Sequence, residues 1–321
     1  MKACVVNELT GPSGMSYADV PDVAGGPGDV VIDVRAAGVC FPDLLLARGE
    51  YQLKLPPPFV PGMEVAGVVR SAPEGSELVV GQRVSAFTML GGYAEQVAVA
   101  AEKVVPTAPG VDDAEAAALL GNYYTMYFAL TRRGGLSAGE TVLVLGSAGG
   151  VGTAAVQMAK ALGAKVIAMV HRPHAAQFVA GLGADLVLPL GEGWKDAVLE
   201  ATDGRGVDLV VDPVGGDAFD DAIRVIATEG RLLVIGFAAG GIPTIKVNRL
   251  LLRNVGVLGV GWGEFVNRHP GAQADVGAGI ANLVAAGLRP PAPQRFPLSD
   301  APAALQMLAD GGVLGKLVLE P

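Results

Sequence analysis

Histidine and cysteine are scarce in this chain. Among 321 residues there are three histidines, His171, His174 and His269, and two cysteines, Cys4 and Cys40. Two cysteines cannot build a disulfide framework or a four-cysteine structural zinc site. Such scarcity points to a reducing compartment. Charged residues are also few, at 17%, whereas hydrophobic residues reach 51%, which argues against disorder. The length suits two domains with ample cores. Positive charge is in deficit, leaving a formal net charge of -9. An acidic chain repels phosphate backbones and anionic lipid heads, so nucleic acid and membrane surfaces are disfavoured as main partners. Long apolar runs are missing too. The longest uncharged stretch, Thr141 to Ala159, is broken by Gly146, Gly149, Gly150 and Gly152, which reads as strand, turn and helix rather than a spanning segment. The opening "MKACVVNELTGPSG" lacks the apolar segment of a secretory leader, so a cytoplasmic location is expected.

What is abundant is turn chemistry, with 46 glycines and 22 prolines. In the first third, short β-branched runs such as "DVVIDVRAAGV" and "VAGVVRSA" are separated by "TGPSG", "AGGPGD" and "PPPFVPG", which predicts a small all-β barrel or sandwich. Near residue 112 the pattern changes. "DDAEAAALLGNYYTMYFALTRRGG" starts acidic and ends basic, as a helix aligned with its dipole does. Apolar strands then alternate with helices, from "TVLVLG" to "RLLVIGFA", predicting a doubly wound parallel sheet. The remainder holds two helices and a last strand, "GKLVLE", and is expected to return to the first domain.

The densest chemistry lies in "VLVLGSAGGVGTAAVQMAKALGAKVIAMVHR". An apolar strand runs into Gly146, Gly149, Gly150, Val151 and Gly152, and a helix is predicted to begin around Val151. The spacing is G-x-x-G-x-x-G rather than G-x-G-x-x-G, but the strand before it and the helix after it supply the context of a dinucleotide-binding turn. Glycines let the backbone approach a pyrophosphate, and the helix N-terminus supplies amide donors. The next strand ends at Val170. An NAD site would place a carboxylate there for the ribose hydroxyls; His171 and Arg172 stand there instead, which suits the 2′-phosphate of NADPH.

The chain resembles the zinc-independent quinone oxidoreductases of the medium-chain dehydrogenase/reductase superfamily. The resemblance is carried in order by "AAGVCFPDLLLARGEY", "PFVPGMEVAGVV", "GGYAEQVAV", "GETVLVLGSAGGVG", "GVDLVVDPVGGD" and "LLLRNVGVLGVGWG". It implies a GroES-like β-barrel catalytic domain, residues 1–121 with 264–321 returning to it, and a Rossmann NADPH-binding domain, residues 122–263. It also implies an active site in an interdomain cleft. Zinc-dependent relatives carry a cysteine at Cys40 followed by histidine, and a second histidine just before a glutamate. Here those histidine places are Phe41 and Met63, the latter before Glu64, too few ligands for a catalytic zinc. No histidine or cation accompanies Cys40 in the local sequence, so a nucleophilic role lacks support. Most zinc-independent relatives hold an asparagine there; Cys40 is expected to line the nicotinamide pocket without metal or covalent chemistry.

Within this resemblance Tyr51 matches the proton-donating tyrosine of related enoyl thioester reductases, while a tyrosine used by some quinone reductases falls at Leu45. Thr125 matches a threonine that approaches the nicotinamide, with Asn122 and Tyr123 as secondary pocket candidates. Val214, Phe237, Ala238, Gly261 and Trp262, at the ends of later strands, are expected to line the nicotinamide pocket. Asp43 and Glu64 read as structural hydrogen-bonding groups. The resemblance implies NADPH-dependent hydride transfer to quinones or α,β-unsaturated carbonyl compounds. Its alternatives are an enoyl thioester (enoyl-CoA type) reductase or a crystallin-like NADPH-binding protein without turnover. A homodimer through the "LLRNVGVLGVGWG" edge is expected, with a small-molecule acceptor as the other partner.

Overall fold

The computed structural model describes residues 1–321, which divide into two compact units: Met1–Gly121 with Pro270–Pro321, and Asn122–His269. Each buries its own apolar face.

The first unit carries nine strands. They are β1 (Lys2–Val6), β2 (Met15–Asp19), β3 (Asp29–Val39), β4 (Glu64–Ser71), β5 (Arg83–Phe87), β6 (Gln96–Ala100), β7 (Val104–Pro106) and, after the second unit, β14 (Gln294–Pro297) and β15 (Leu317–Glu320). The main sheet runs β14-β15-β3-β4-β5-β7, with β6 added to β3; β1 and β2 form a separate hairpin. Alternation in β3 turns Val30, Ile32 and Val34 inward with Val65, Val69, Val84, Val97 and Tyr93. The C-terminal segment contributes Leu298, Leu305, Leu317 and Leu319 to this same core. That is the physical reason for its return.

One feature departs from an all-β reading of the first third. Phe41–Ala47 is a helix, capped by Cys40 and opened by Phe41-Pro42. The segment after Asp112 does start as a helix, with a capping box between Asp112 and Glu115. It then widens into π-helical turns at Leu120–Tyr124 and Phe128–Arg133.

The second unit is a six-stranded sheet of β8 (Thr141–Val144), β9 (Lys165–Val170), β10 (Leu186–Pro189), β11 (Val207–Asp212), β12 (Ile226–Val234) and β13 (Gly256–Gly259). Every pairing is parallel, in the order β10-β9-β8-β11-β12-β13. Counted within the unit, that is the Rossmann order 3-2-1-4-5-6, which puts ligands beyond the C-terminal ends of the strands, where the order reverses. The sheet is filled by Leu143, Leu145, Met169, Val210 and Leu232 against Trp194, Phe219 and Ile223. The boundary expected at residue 264 lies at Pro270 instead. The helix Trp262–Arg268 stays with the second unit because Trp262 packs on Phe128 at 5.4 Å between ring centroids, and Phe265 on Phe128 at 4.7 Å.

Candidate cofactor and active site

The dinucleotide turn follows β8. Gly146 adopts φ +59, and a Cβ there would meet Val214 Cγ2 at 2.9 Å. The helix begins at Gly150, one residue before the expected start. A Cβ on Gly150 would lie 2.4 Å from Asn122 Nδ2, and one on Gly152 only 2.1 Å from the Gly146 carbonyl oxygen. Gly146, by its left-handed φ, and Gly152, by its contact with backbone, are required by the protein's own fold, whereas at Gly150 the Asn122 side chain could give way. Gly149 is different. Its φ of -77 suits any residue, and its added Cβ would meet nothing nearer than the Gly146 oxygen at 3.7 Å. The space over Gly149 is open at the N-terminus of a 12-residue helix, where a pyrophosphate can approach the backbone amides.

At the end of β9, His171 is exposed and Arg172 partly buried, and neither side chain pairs with another group. A free guanidinium beside this turn, with no carboxylate there, fits a phosphate on the ribose rather than its hydroxyls. The third wall comes from the strand ends. One oxygen of buried Asp212 accepts the Val214 N–H at 2.9 Å and the Gly215 N–H at 2.8 Å. Ala238 N–H donates to Pro213 at 3.1 Å, and a Cβ on Gly215 would touch the Phe237 ring at 3.1 Å. So Gly146, Val214, Phe237 and Ala238 meet in one place. Gly261 is exposed ahead of the Trp262 helix, whereas the Trp262 ring is 4% exposed and packs on Tyr124 and Phe128. Thr125 lies between the two π-helical segments, partly exposed. Tyr123 is buried and hydrogen-bonds Gln157 at 2.5 Å.

In the first unit Cys40 sits at the end of β3 and caps the helix that follows. Its N–H donates to Asp43 Oδ2 at 2.9 Å. Asp43 is fully buried and also accepts from Tyr93 Oη at 3.0 Å and the Gly62 N–H at 3.1 Å. Burial pushes the Asp43 carboxyl up to about 6, against the pull of its donors and Lys316. The Cys40 thiol donates to Glu64 Oε1 at 3.0 Å. Glu64 is fully buried as well, and its second oxygen accepts the Gly121 N–H. That amide is available because the helix widens at Leu120–Tyr124.

The sequence reading assigned Cys40 no nearby cation, and the structure corrects it. Lys316 Nζ lies 3.1 Å from Cys40 Sγ and 2.5 Å from Glu64 Oε1, with Lys316 only 8% exposed. The partner was hidden by distance along the chain: β15 pairs antiparallel with β3, setting Leu317 opposite Val39. Burial opposes the Lys316 charge, but Cys40 and Glu64 hold its ammonium above the usual lysine range. Burial, then Glu64, pushes the Cys40 thiol well up. Tyr51 lies beside an apolar cluster of Leu46, Met63 and Phe87, and burial, with Asp43 and Cys40 nearby, raises its phenol. Sequence reasoning missed Lys316 and the supporting role of Asp212. Only the "GK" before the last strand offered a signal for the first.

A GroES-like barrel and a Rossmann sheet on one chain, with a glycine turn ending the first Rossmann strand, define a medium-chain dehydrogenase/reductase. Family models agree: the alcohol dehydrogenase GroES-like domain matches residues 26–109 and the zinc-binding dehydrogenase domain residues 150–275. A probable oxidoreductase from Mycobacterium abscessus is 60% identical, with TM-score 0.93 over 100% of this chain and 99% of that one. The quinone oxidoreductase from Thermus thermophilus, also solved with NADPH, is 36% identical, with TM-score 0.86 over 100% of both chains. Quinone oxidoreductase-like protein 2 of Rattus norvegicus is 36% identical over 267 residues, 82% of this chain and 76% of that protein. The chain belongs to the zinc-independent quinone oxidoreductase family of this superfamily and is an oxidoreductase.

Proposed function

We propose that the protein is an NADPH-dependent reductase that delivers hydride to a quinone or an α,β-unsaturated carbonyl compound without a metal. The observation that carries this reading is the glycine turn left open over Gly149, with unpaired His171 and Arg172 at the end of the next strand. NADPH, when bound, supplies the hydride. Gly149 to Gly152 hold its pyrophosphate, Arg172 with His171 its 2′-phosphate, and Val214, Phe237, Ala238, Gly261, Trp262, Thr125 and Cys40 the nicotinamide end.

Hydride addition leaves negative charge on an acceptor oxygen, so one neutral donor is enough to stabilise it. Tyr51 keeps its proton at neutral pH, since its surroundings raise rather than lower the phenol, and it donates to that oxygen. A catalytic zinc does not fit. The two metal-binding side chains at the expected place, Cys40 and Glu64, both receive the Lys316 ammonium, and a cation there would meet a like charge.

The test is NADPH oxidation with phenanthrenequinone, methyl vinyl ketone and crotonyl-CoA, each with and without a chelator. Turnover of the first two, unaffected by chelator, supports the reading, and turnover confined to crotonyl-CoA would replace it with the enoyl thioester reading. Tyr51→Phe should lower kcat about tenfold or more, the range of a lost general acid. Tight NADPH binding with no acceptor reduced would favour a binding protein. The proposed assembly is a cytoplasmic homodimer through β13. That strand ends the sheet, and Leu251 and Leu252 just before it are 75% and 77% exposed. Light scattering on the native chain and on Leu251→Asp checks it.

A further inference from the structure

Glu64 and Lys316 take no part in the chemistry just described, yet both carry charge where water is nearly excluded. One arrangement of protons satisfies all three contacts. The Cys40 S–H donates to Glu64 Oε1, and the ammonium donates to that oxygen and to a sulfur lone pair. Ionising the thiol would set a second negative charge against Glu64 and take a donor from its carboxylate. The other titratable groups facing Cys40 are Asp43, which holds its N–H, and the phenols of Tyr51 and Tyr93. Only Lys316 favours a thiolate, and Glu64 already shares its charge.

This matters because the thiolate is the reactive form of cysteine. Quinones and enones are electrophiles at the carbon β to the carbonyl. A thiolate adds there: the S–C bond forms, the C=C electron pair moves toward the carbonyl oxygen, and a proton from solvent then reaches the α-carbon. No oxidant or reductant is needed. A protein that takes such acceptors beside a cysteine is exposed to its own substrates. We propose that Glu64, paired with Lys316, is a positioning residue that holds the Cys40 thiol as a hydrogen-bond donor, so that the site resists 1,4-addition by its electrophilic acceptors. The proposal rests on the functional reading for the acceptor class, whereas its readout needs no turnover.

The probe is N-ethylmaleimide, applied to the native full-length chain over a pH series, with labelling followed by intact mass and peptide mapping. The urea-unfolded chain gives the reference, and Cys40→Ser identifies any signal from Cys4, which is buried and bonded to the Leu298 carbonyl at 3.0 Å. Native Cys40 should label about 100-fold more slowly than the unfolded chain near neutral pH. The midpoint of its pH profile should lie above the reference, each unit of displacement being about tenfold in thiolate. In Glu64→Gln, confirmed folded by its melting curve, the midpoint should fall and the neutral-pH rate rise at least about tenfold. An ordinary midpoint in the native chain would overturn the proposal even if labelling were slow, because it would mean steric cover alone. An unmoved midpoint in folded Glu64→Gln would overturn it too. A displaced midpoint in a protein that reduces no acceptor would leave the triad standing and remove the functional reading.

Discussion

Replacing Lys316 with methionine keeps the apolar stem of the side chain and deletes its charge. The loss falls on Glu64, which keeps its bonds from Cys40 and Gly121 but has no counter-ion in a place with no solvent access. Breaking a buried pair by removing one partner costs about 3–5 kcal/mol. At about 2 °C per kcal/mol the melting temperature should drop ~8 °C. The native chain should keep the contribution of Lys316 well into the alkaline range. An ammonium raised on folding stabilises fully below its unfolded pKa and loses that effect only as pH rises through the folded one. Thermal unfolding by circular dichroism near pH 7 measures the loss. A drop under about 2 °C would refute the reasoning.

Two glycines in the same turn should separate folding from binding. Gly149→Ala should leave the melting temperature within about 1 °C, since nothing in the protein meets the new Cβ, but weaken NADPH about tenfold or more, ~1.4 kcal/mol by titration. Gly152→Ala should instead destabilise by about 1–3 kcal/mol, because its Cβ would collide with the Gly146 carbonyl. Arg172→Ala should raise KM for NADPH by roughly tenfold or more and leave that for NADH nearly unchanged; equal losses would remove the 2′-phosphate assignment. Asp43, pushed up to about 6, binds its proton more tightly folded than unfolded, so its contribution to stability is greatest below its unfolded pKa and declines as pH rises through 6. Asp43→Asn should flatten the change in stability between about pH 4 and pH 6 by on the order of 3 kcal/mol, measured by urea unfolding.

Legibility followed the range of the interactions. The run from "TVLVLG" to "RLLVIGFA" declares its parallel sheet, because strands buried on both faces must be apolar throughout and the helices between them are amphipathic. The turn at Gly146 to Gly152 is local, so its glycines, strand and helix could be read together; the helix start differs by one residue. The helix Phe41–Ala47 went unread because it is two turns long and sits inside β-rich sequence, where Leu44 and Leu46 also fit a strand. Its signals were a proline in the first turn and Asp43 reaching back to the Cys40 amide.

Composition and periodicity by themselves determined an acidic, two-unit chain with a barrel-like first part, a dinucleotide turn and no carboxylate after the second Rossmann strand. Each of these depends on neighbours within a few residues or on totals over the chain. The surroundings of Cys40 do not. Glu64 reaches it from β4, Lys316 from the edge of β15 at the far end of the sequence, and Asp43 from the helix it caps. Only the antiparallel pairing of β15 with β3 places an ammonium beside that sulfur, and only burial makes the placement matter. In water those charges would be screened to little effect; under the barrel they decide whether Cys40 carries its proton.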